Sequence, residues 1–297
     1  MRSRNGQGLR VGRWSARAAT PLVALALVVG GVAQTPAAHA AAVANTGALK
    51  EQAALAAFSH AHFGIPNTTS PNWSGYSDTN YSKTGNFRSV KASWNVPEMA
   101  DNDCQNGTFA TGEGLSGFWV GIDGNGDKTV EQTGTADECY QGTPYYWDWY
   151  EMYPNPIVVV AAVSAGDHIT ASVTKTSAGY VLAINDTTSG TSNNVTESCP
   201  AKSTCSNHSA EVIAEAPGGC VTAPGQTCRG KLYPMPNYQW VQFHNISVAT
   251  KSASGGIGAS KFGPQNITMQ NSLKIALAVD TSTIAKNAFT NSWEASG

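Results

Sequence analysis

Ile169-Thr170-Ala171-Ser172-Val173-Thr174 puts an apolar side chain at every second position, and Tyr180, Leu182 and Ile184 repeat the period after a short gap. Successive side chains of a strand leave opposite faces, so this alternation marks a half-buried β-strand. The same period extends outward in both directions. Val90, Ala92 and Trp94 carry it upstream; Val241 with Phe243, then Leu273, Ile275, Leu277 and Val279, carry it downstream. Ile157 to Val163 is apolar without interruption and reads as a strand buried on both faces. Clusters of Gly, Asn, Asp, Ser and Pro separate these runs, and no helical pattern interleaves with them. The reading is all-β: an antiparallel two-sheet β-sandwich of jelly-roll or concanavalin-like type. Residues 69–297 fit a single domain of that kind.

Composition agrees. Only 13% of the 297 residues are charged, against 41% hydrophobic, and 30 are Gly. Few Lys and Glu with many turn formers argue against a helical bundle. The formal charge of −2 is uneven, because Arg2, Arg4, Arg10, Arg13 and Arg17 precede the first acid, Glu51. Without those five, 13 basic residues face 20 acidic ones, a charge of −7. A net-acidic body excludes a nucleic-acid partner.

The five Arg residues, the apolar run from Pro21 to Val32 and Ala38-His39-Ala40 follow the order of a secretory signal. The apolar run is shorter than the ~20 residues that span a bilayer. The expectation is a signal peptide over 1–40, an extracellular monomer and no stable membrane association. Residues 41–68 hold the chain's one good helix former, with Leu49, Ala53, Ala56 and Ala57 at helical spacing, and read as a short helical pro-segment or linker. Six Cys suit an oxidising compartment. Six allow 15 pairings; short loops favour Cys199–Cys205 and Cys220–Cys228, which leaves Cys104–Cys139.

Common catalytic signatures are missing: no G-x-S-x-G, H-E-x-x-H or P-loop occurs. No Cys or His pair has zinc spacing, and Asp123-Gly124-Asn125-Gly126-Asp127 has Gly134 where a calcium loop needs its bidentate Glu. No metal or cofactor is expected, and that Gly-rich segment reads as a hairpin turn between Phe118–Asp123 and Val130–Gly134. Ala210-Glu211-Val212-Ile213-Ala214-Glu215 alternates, so both Glu share one face of a strand.

Five blocks then occur in a telling order. They are Asn72-Trp73-Ser74-Gly75, Trp119-Val120-Gly121-Ile122-Asp123, Gln132-Thr133-Gly134, Trp149-Tyr150-Glu151-Met152-Tyr153-Pro154, and Ala210 to Glu215. Together they resemble the glutamic peptidase (eqolisin) family over roughly residues 72–249. The resemblance implies two stacked antiparallel sheets and a zymogen whose pro-segment ends just before Asn72. It also implies a pepstatin-insensitive, acid-active endopeptidase for polypeptide substrates. Carried over, the catalytic pair is Gln132 and Glu215; Trp73, Trp119, Asp123, Trp149 and Glu151 take substrate-binding or supporting roles. One departure is that Asp137 stands one residue later than the family's Q-T-G-x-D would place it.

The chemistry suits the pair. A carboxylate can take a proton from water and return it to the leaving amine, and a carboxamide can donate to the oxyanion. An ordinary Glu titrates near ~4.3, which suits acidic conditions. A carbohydrate-binding module is the alternative, since Trp and Tyr platforms on an exported sandwich would serve it equally. A glycosidase using Glu211 and Glu215 is disfavoured, because same-face neighbours four apart stand ~13 Å apart along a strand.

Overall fold

The computed structural model describes residues 69–104, 109, 113–218, 232–282 and 287–297. The proposed signal, the helical pro-segment and the Cys220–Cys228 pair lie outside them. Sixteen strands follow in chain order: β1 (Thr69–Ser70), β2 (Trp73–Asp78), β3 (Phe87–Asn95), β4 (Glu113–Ile122), β5 (Val130–Tyr140), β6 (Thr143–Tyr153), β7 (Val158–Ala162), β8 (His168–Lys175). Then come β9 (Tyr180–Asp186), β10 (Thr191–Glu197), β11 (Ala210–Glu215), β12 (Trp240–Thr250), β13 (Ser254–Gly255), β14 (Pro264–Gln270), β15 (Ala276–Asp280) and β16 (Phe289–Trp293). Among the described residues helix is confined to single turns at Tyr81–Thr84, Asp101–Cys104 and Ser260–Phe262.

One hydrogen-bonded path joins fourteen of the strands, in the order β10-β9-β8-β3-β12-β16-β15-β14-β2-β11-β4-β5-β6-β7. Apart from the two-residue β1, which runs parallel to β14, the ladders are antiparallel. The path folds back on itself, so β4 and β5 lie against β8 and β9. The result is a nearly closed, all-β antiparallel sheet.

The core fills the space between the two halves. Phe118, Val120 and Ile122 of β4 and Val212 of β11 meet Val90 and Trp94 of β3, Ile169 and Val173 of β8, and Phe243 of β12. Trp94 Nε1 donates across this interior to Thr135 Oγ1 of β5 at 3.0 Å. A second apolar cluster lies on the other face of the first half: Trp73, Trp119, Trp147, Trp149 and Ile213 belong to it. Because β4, β5 and β11 are buried on both faces, their burial does not alternate.

Disulfides join Cys199 to Cys205, the short loop, and Cys104 to Cys139, the pair left by it. Two strand expectations need correction. The Ile157–Val163 run does not form a doubly buried strand: β7 ends the sheet and Val158 is 42% exposed. Leu273 and Ile275 precede β15 rather than opening it, and both are exposed. An apolar run at a sheet edge has only one side to cover it, so apolarity alone did not fix burial.

Candidate active site

The strand registers place nearly all the singled-out residues on one face. Three rows of directly opposed residues cross the first half-sheet. Glu215 faces Trp73 on one side and Gly117 on the other. Ile213, Trp119, Gly134 and Trp149 form the next row. Glu211, Gly121, Gln132 and Glu151 form the third. Directly opposed residues share a face, and residues two apart on a strand share it too. Gln132 and Glu215 therefore project from the same face, two rows apart, with the Trp119 row between them.

Glycines make room for that middle row. A Cβ on Gly134 would stand 2.1 Å from Phe118 O and 2.6 Å from Trp119 Cβ, and one on Gly121 would stand 2.8 Å from Trp119 Cζ3. The indole thus lies over Gly121, in Gln132's row, while its Nε1 donates to Glu215 Oε2 at 2.7 Å. Trp119 spans the gap between the two candidate groups. Gly75 serves a different need: at φ +142°, a Cβ would meet Val212 O at 2.2 Å, so only glycine lets β2 approach β11 this closely.

Glu215 is fully buried, and both its carboxyl oxygens accept hydrogen bonds from neutral donors. Trp119 Nε1 holds Oε2, and Asn72 Nδ2 holds Oε1 at 3.1 Å. Ser70 Oγ donates to Asn72 Oδ1 at 3.1 Å, which orients the carboxamide with its NH₂ towards Glu215. Asn72 is the functional candidate that sequence reasoning missed. In the sequence it is only the first residue of the Asn72-Trp73-Ser74-Gly75 block, yet it is 2% exposed. Its position just before a buried strand was the available signal.

Gln132 is held differently: its Nε2 donates to Glu151 Oε2 at 2.6 Å, directly across the β5–β6 ladder. Trp73 packs edge-on against Trp119, with ring centroids 5.0 Å apart. Trp149 is buried beside them, opposite Gly134. Asp123 is the exception. It lies past the end of β4, at the end of β11 away from Glu215, and takes the backbone N–H groups of Asn207 and His208 at 2.8 and 2.7 Å. It pins the segment that leads into β11. Burial raises its pKa to about 6, opposed by those two N–H donors. Glu131, packed against it on the interior face, is pushed up to about 9, first by burial and then by the Asp123 charge.

Two further carboxyls are settled by the register. Glu211 accepts from Ser77 Oγ at 3.0 Å, and burial holds its pKa well above the ordinary range. Asp137 faces the interior, not the site, because Ala136 occupies the next position on Gln132's face. Its two carboxyl oxygens have no hydrogen-bond partner among the described residues, and burial raises its pKa strongly. No group of three or more metal-ligating side chains occurs among the described residues.

The frame is all-β, with carboxyl and amide side chains gathered on one face of it. Scytalido-glutamic peptidase, solved with a peptide-based transition-state analogue, matches at a TM-score of 0.61 and 23% identity, over 75% of this chain and 98% of that one. SCP-B, an eqolisin-family peptidase solved with the tripeptide Ala-Ile-His, matches at 0.59 and 23%, over 75% and 98%. The aspergilloglutamic peptidase of Aspergillus niger matches at 0.50 and 23%, over 61% and 99%. No curated protein sequence matches the chain. The sequence profile of the Peptidase A4 family matches residues 71–293. The chain belongs to that family of glutamic peptidases, and it is an enzyme.

Proposed function

We propose that the chain is a secreted, acid-active, pepstatin-insensitive endopeptidase made as a zymogen, with Gln132 and Glu215 as its catalytic residues on a jelly-roll-like sandwich. Glu215, ionised, removes a proton from a water molecule. That water attacks the scissile carbonyl carbon, and the oxygen of the carbonyl takes up the negative charge. The Gln132 NH₂ donates to this oxyanion, at no titration cost because the amide is neutral at every pH. Glu215, now protonated, passes the proton to the leaving nitrogen as the C–N bond breaks.

Supporting residues divide between the two groups. Trp119 and Asn72 fix the Glu215 carboxyl by its two oxygens and set its orientation towards an attacking water. Glu151 anchors the Gln132 carboxamide by accepting from its Nε2, which fixes the plane in which the amide can meet the oxyanion. Trp73 and Trp149, both buried, pack in the apolar cluster that holds Trp119 in place between the two groups. Asp123 supports it from a distance through the Asn207–His208 segment. The observation that carries the reading is the clamp on Glu215 by two neutral donors, on the same face as Gln132.

The test compares two glutamates of one strand. Glu215→Gln abolishes cleavage of casein at acid pH, with pepstatin as a control, whereas Glu211→Gln retains most of it, since an amide mimics a protonated carboxyl held by Ser77. Gln132→Ala lowers kcat by ~10²-fold or more. Full activity in Glu215→Gln defeats the assignment; loss in Glu211→Gln with activity kept in Glu215→Gln transfers the role to Glu211.

A further inference from the structure

The outer face of the second half-sheet, turned away from the Gln132–Glu215 face, carries a cavity of about 490 Å³. It opens where two strands part. The β12–β3 ladder runs from Thr250 opposite Phe87 to His244 opposite Ser93. Beyond that pair the chains separate, and Asn95–Glu98 and Tyr238–Gln242 form the two walls. They close again where Ala100 N donates to Asn237 O at 2.8 Å. Tyr238, buried, lies along the cavity and stacks edge-on against Phe118 of the core.

Trp240 stands on one wall and is 59% exposed, whereas Trp94, Trp119, Trp147 and Trp149 are fully buried. Val241 and Phe243 point into the core, so Trp240, Gln242 and His244 share the outer face. Their span is ~13 Å by strand rise. Gln239 holds φ +59°, an uncommon value for a residue with a side chain. Asn237 Oδ1 accepts from its N–H at 2.9 Å, and its own O accepts from Trp293 N at 3.0 Å. That backbone strain presents Gln239 and Trp240 together at the cavity mouth; strained residues of this kind concentrate at ligand sites.

The surrounding groups decide the class of ligand. Asn95 and Gln242 are carboxamides, each able to donate and accept at once, as sugar hydroxyls require, while Gln239 Nε2 donates across the cavity to Glu98 O at 3.3 Å. The wall contains no lysine or arginine and does contain Glu98, which disfavours anions and nucleic acid. An extended peptide is usually captured by a free sheet edge, and β12 pairs only with β16 at Trp240–Phe243, so a peptide is the rival occupant, and the amide-rich lining decides against it. A flat indole for the apolar face of a pyranose, rimmed by amides for its hydroxyls, fits a sugar chain best.

We propose that this cavity is a non-catalytic binding site for an oligosaccharide of a few pyranose units, with Trp240 as the stacking platform and Gln242 and Asn95 as hydroxyl partners. It sits on the face opposite the proteolytic site, so carbohydrate held there would not obstruct cleavage. The site does not depend on the peptidase reading.

The full chain carrying Glu215→Gln, to prevent self-digestion, is run through native gels containing hydroxyethylcellulose, glycol chitin, yeast mannan or amylopectin. At least one of the four retards the protein. Trp240→Ala weakens that retardation roughly tenfold, the scale of one lost aromatic stacking contact, and leaves the melting temperature unchanged. Casein cleavage by the otherwise active Trp240→Ala chain stays at the starting level. Absence of retardation by all four polysaccharides overturns the proposal, as does retardation that persists in Trp240→Ala. A Trp240→Ala chain that binds polysaccharide normally but cleaves casein poorly would assign the cavity to protein substrate instead.

Discussion

Raising the pH from about 4 to about 7 should strip stability from this fold, and the reason lies in carboxyls placed where water cannot reach them. Burial raises Asp78, Asp148 and Asp280 from 3.8 to about 7. Hydrogen bonds from Gly258, Ala161 and Asn291, respectively, offset only part of that effect. In the native protein these groups stay protonated above the pH at which the unfolded chain releases its protons. The native state therefore binds more protons across that window, and stability falls as pH rises from about 4 to about 7. At ~1.4 kcal/mol per pH unit, each such group contributes at most ~4 kcal/mol to the loss. The three together approach the ~5–15 kcal/mol that holds a whole domain. A realised quarter of that sum, ~3 kcal/mol, lowers the Tm of a domain this size by roughly 6–12 °C. Glu131, pushed up to about 9, extends the decline past neutrality. Circular dichroism melts of the Glu215→Gln chain, stepped across the range, measure this. Asp148→Asn keeps an acceptor for the Ala161 N–H, which Asp148 Oδ1 takes at 2.6 Å, and so flattens the slope. A Tm that is constant or rises between about pH 4 and about pH 7 would refute the reasoning.

Other substitutions test other parts of the structure. Trp119→Phe removes the indole donor to Glu215 while keeping most of the aromatic volume; kcat for a soluble peptide should fall at least tenfold with KM little changed, read by steady-state kinetics. Replacing Cys104 and Cys139 together by Ser releases a link that spans 35 residues. Loop entropy puts the loss at ~4 kcal/mol, measured by urea unfolding of the Glu215→Gln chain.

Much of the fold was legible because half of it is wet on one side. Strands β8 and β9 alternate cleanly, and Ile169, Ala171 and Val173 are buried as their period predicts. Strand β5 hid its length. Asp137 and Glu138 look like the end of a strand, yet the ladder continues to Tyr140, because both faces of β5 are covered and period two loses its meaning there. The candidate site was readable as residue types in order, but not as geometry. Nothing in the sequence shows that Asn72 reaches Glu215, 143 positions away, or that Gly121 and Gly134 clear the space for Trp119. Asp123 was grouped with the site residues because it ends the same motif as Trp119; a turn at φ +65° sends it instead to the Asn207–His208 segment.

The strand order carries a consequence for timing. Strand β11 is wedged between β2, from the start of the described chain, and β4, and β2 is flanked on its other side by the late strand β14. The surroundings of Glu215 therefore form only when Asn72 and Trp119 pair with a segment some hundred or more residues later, a slow, non-local kind of closure. A chain cut short before β14 would leave one edge of β2 uncovered, and with it the strand that flanks Glu215.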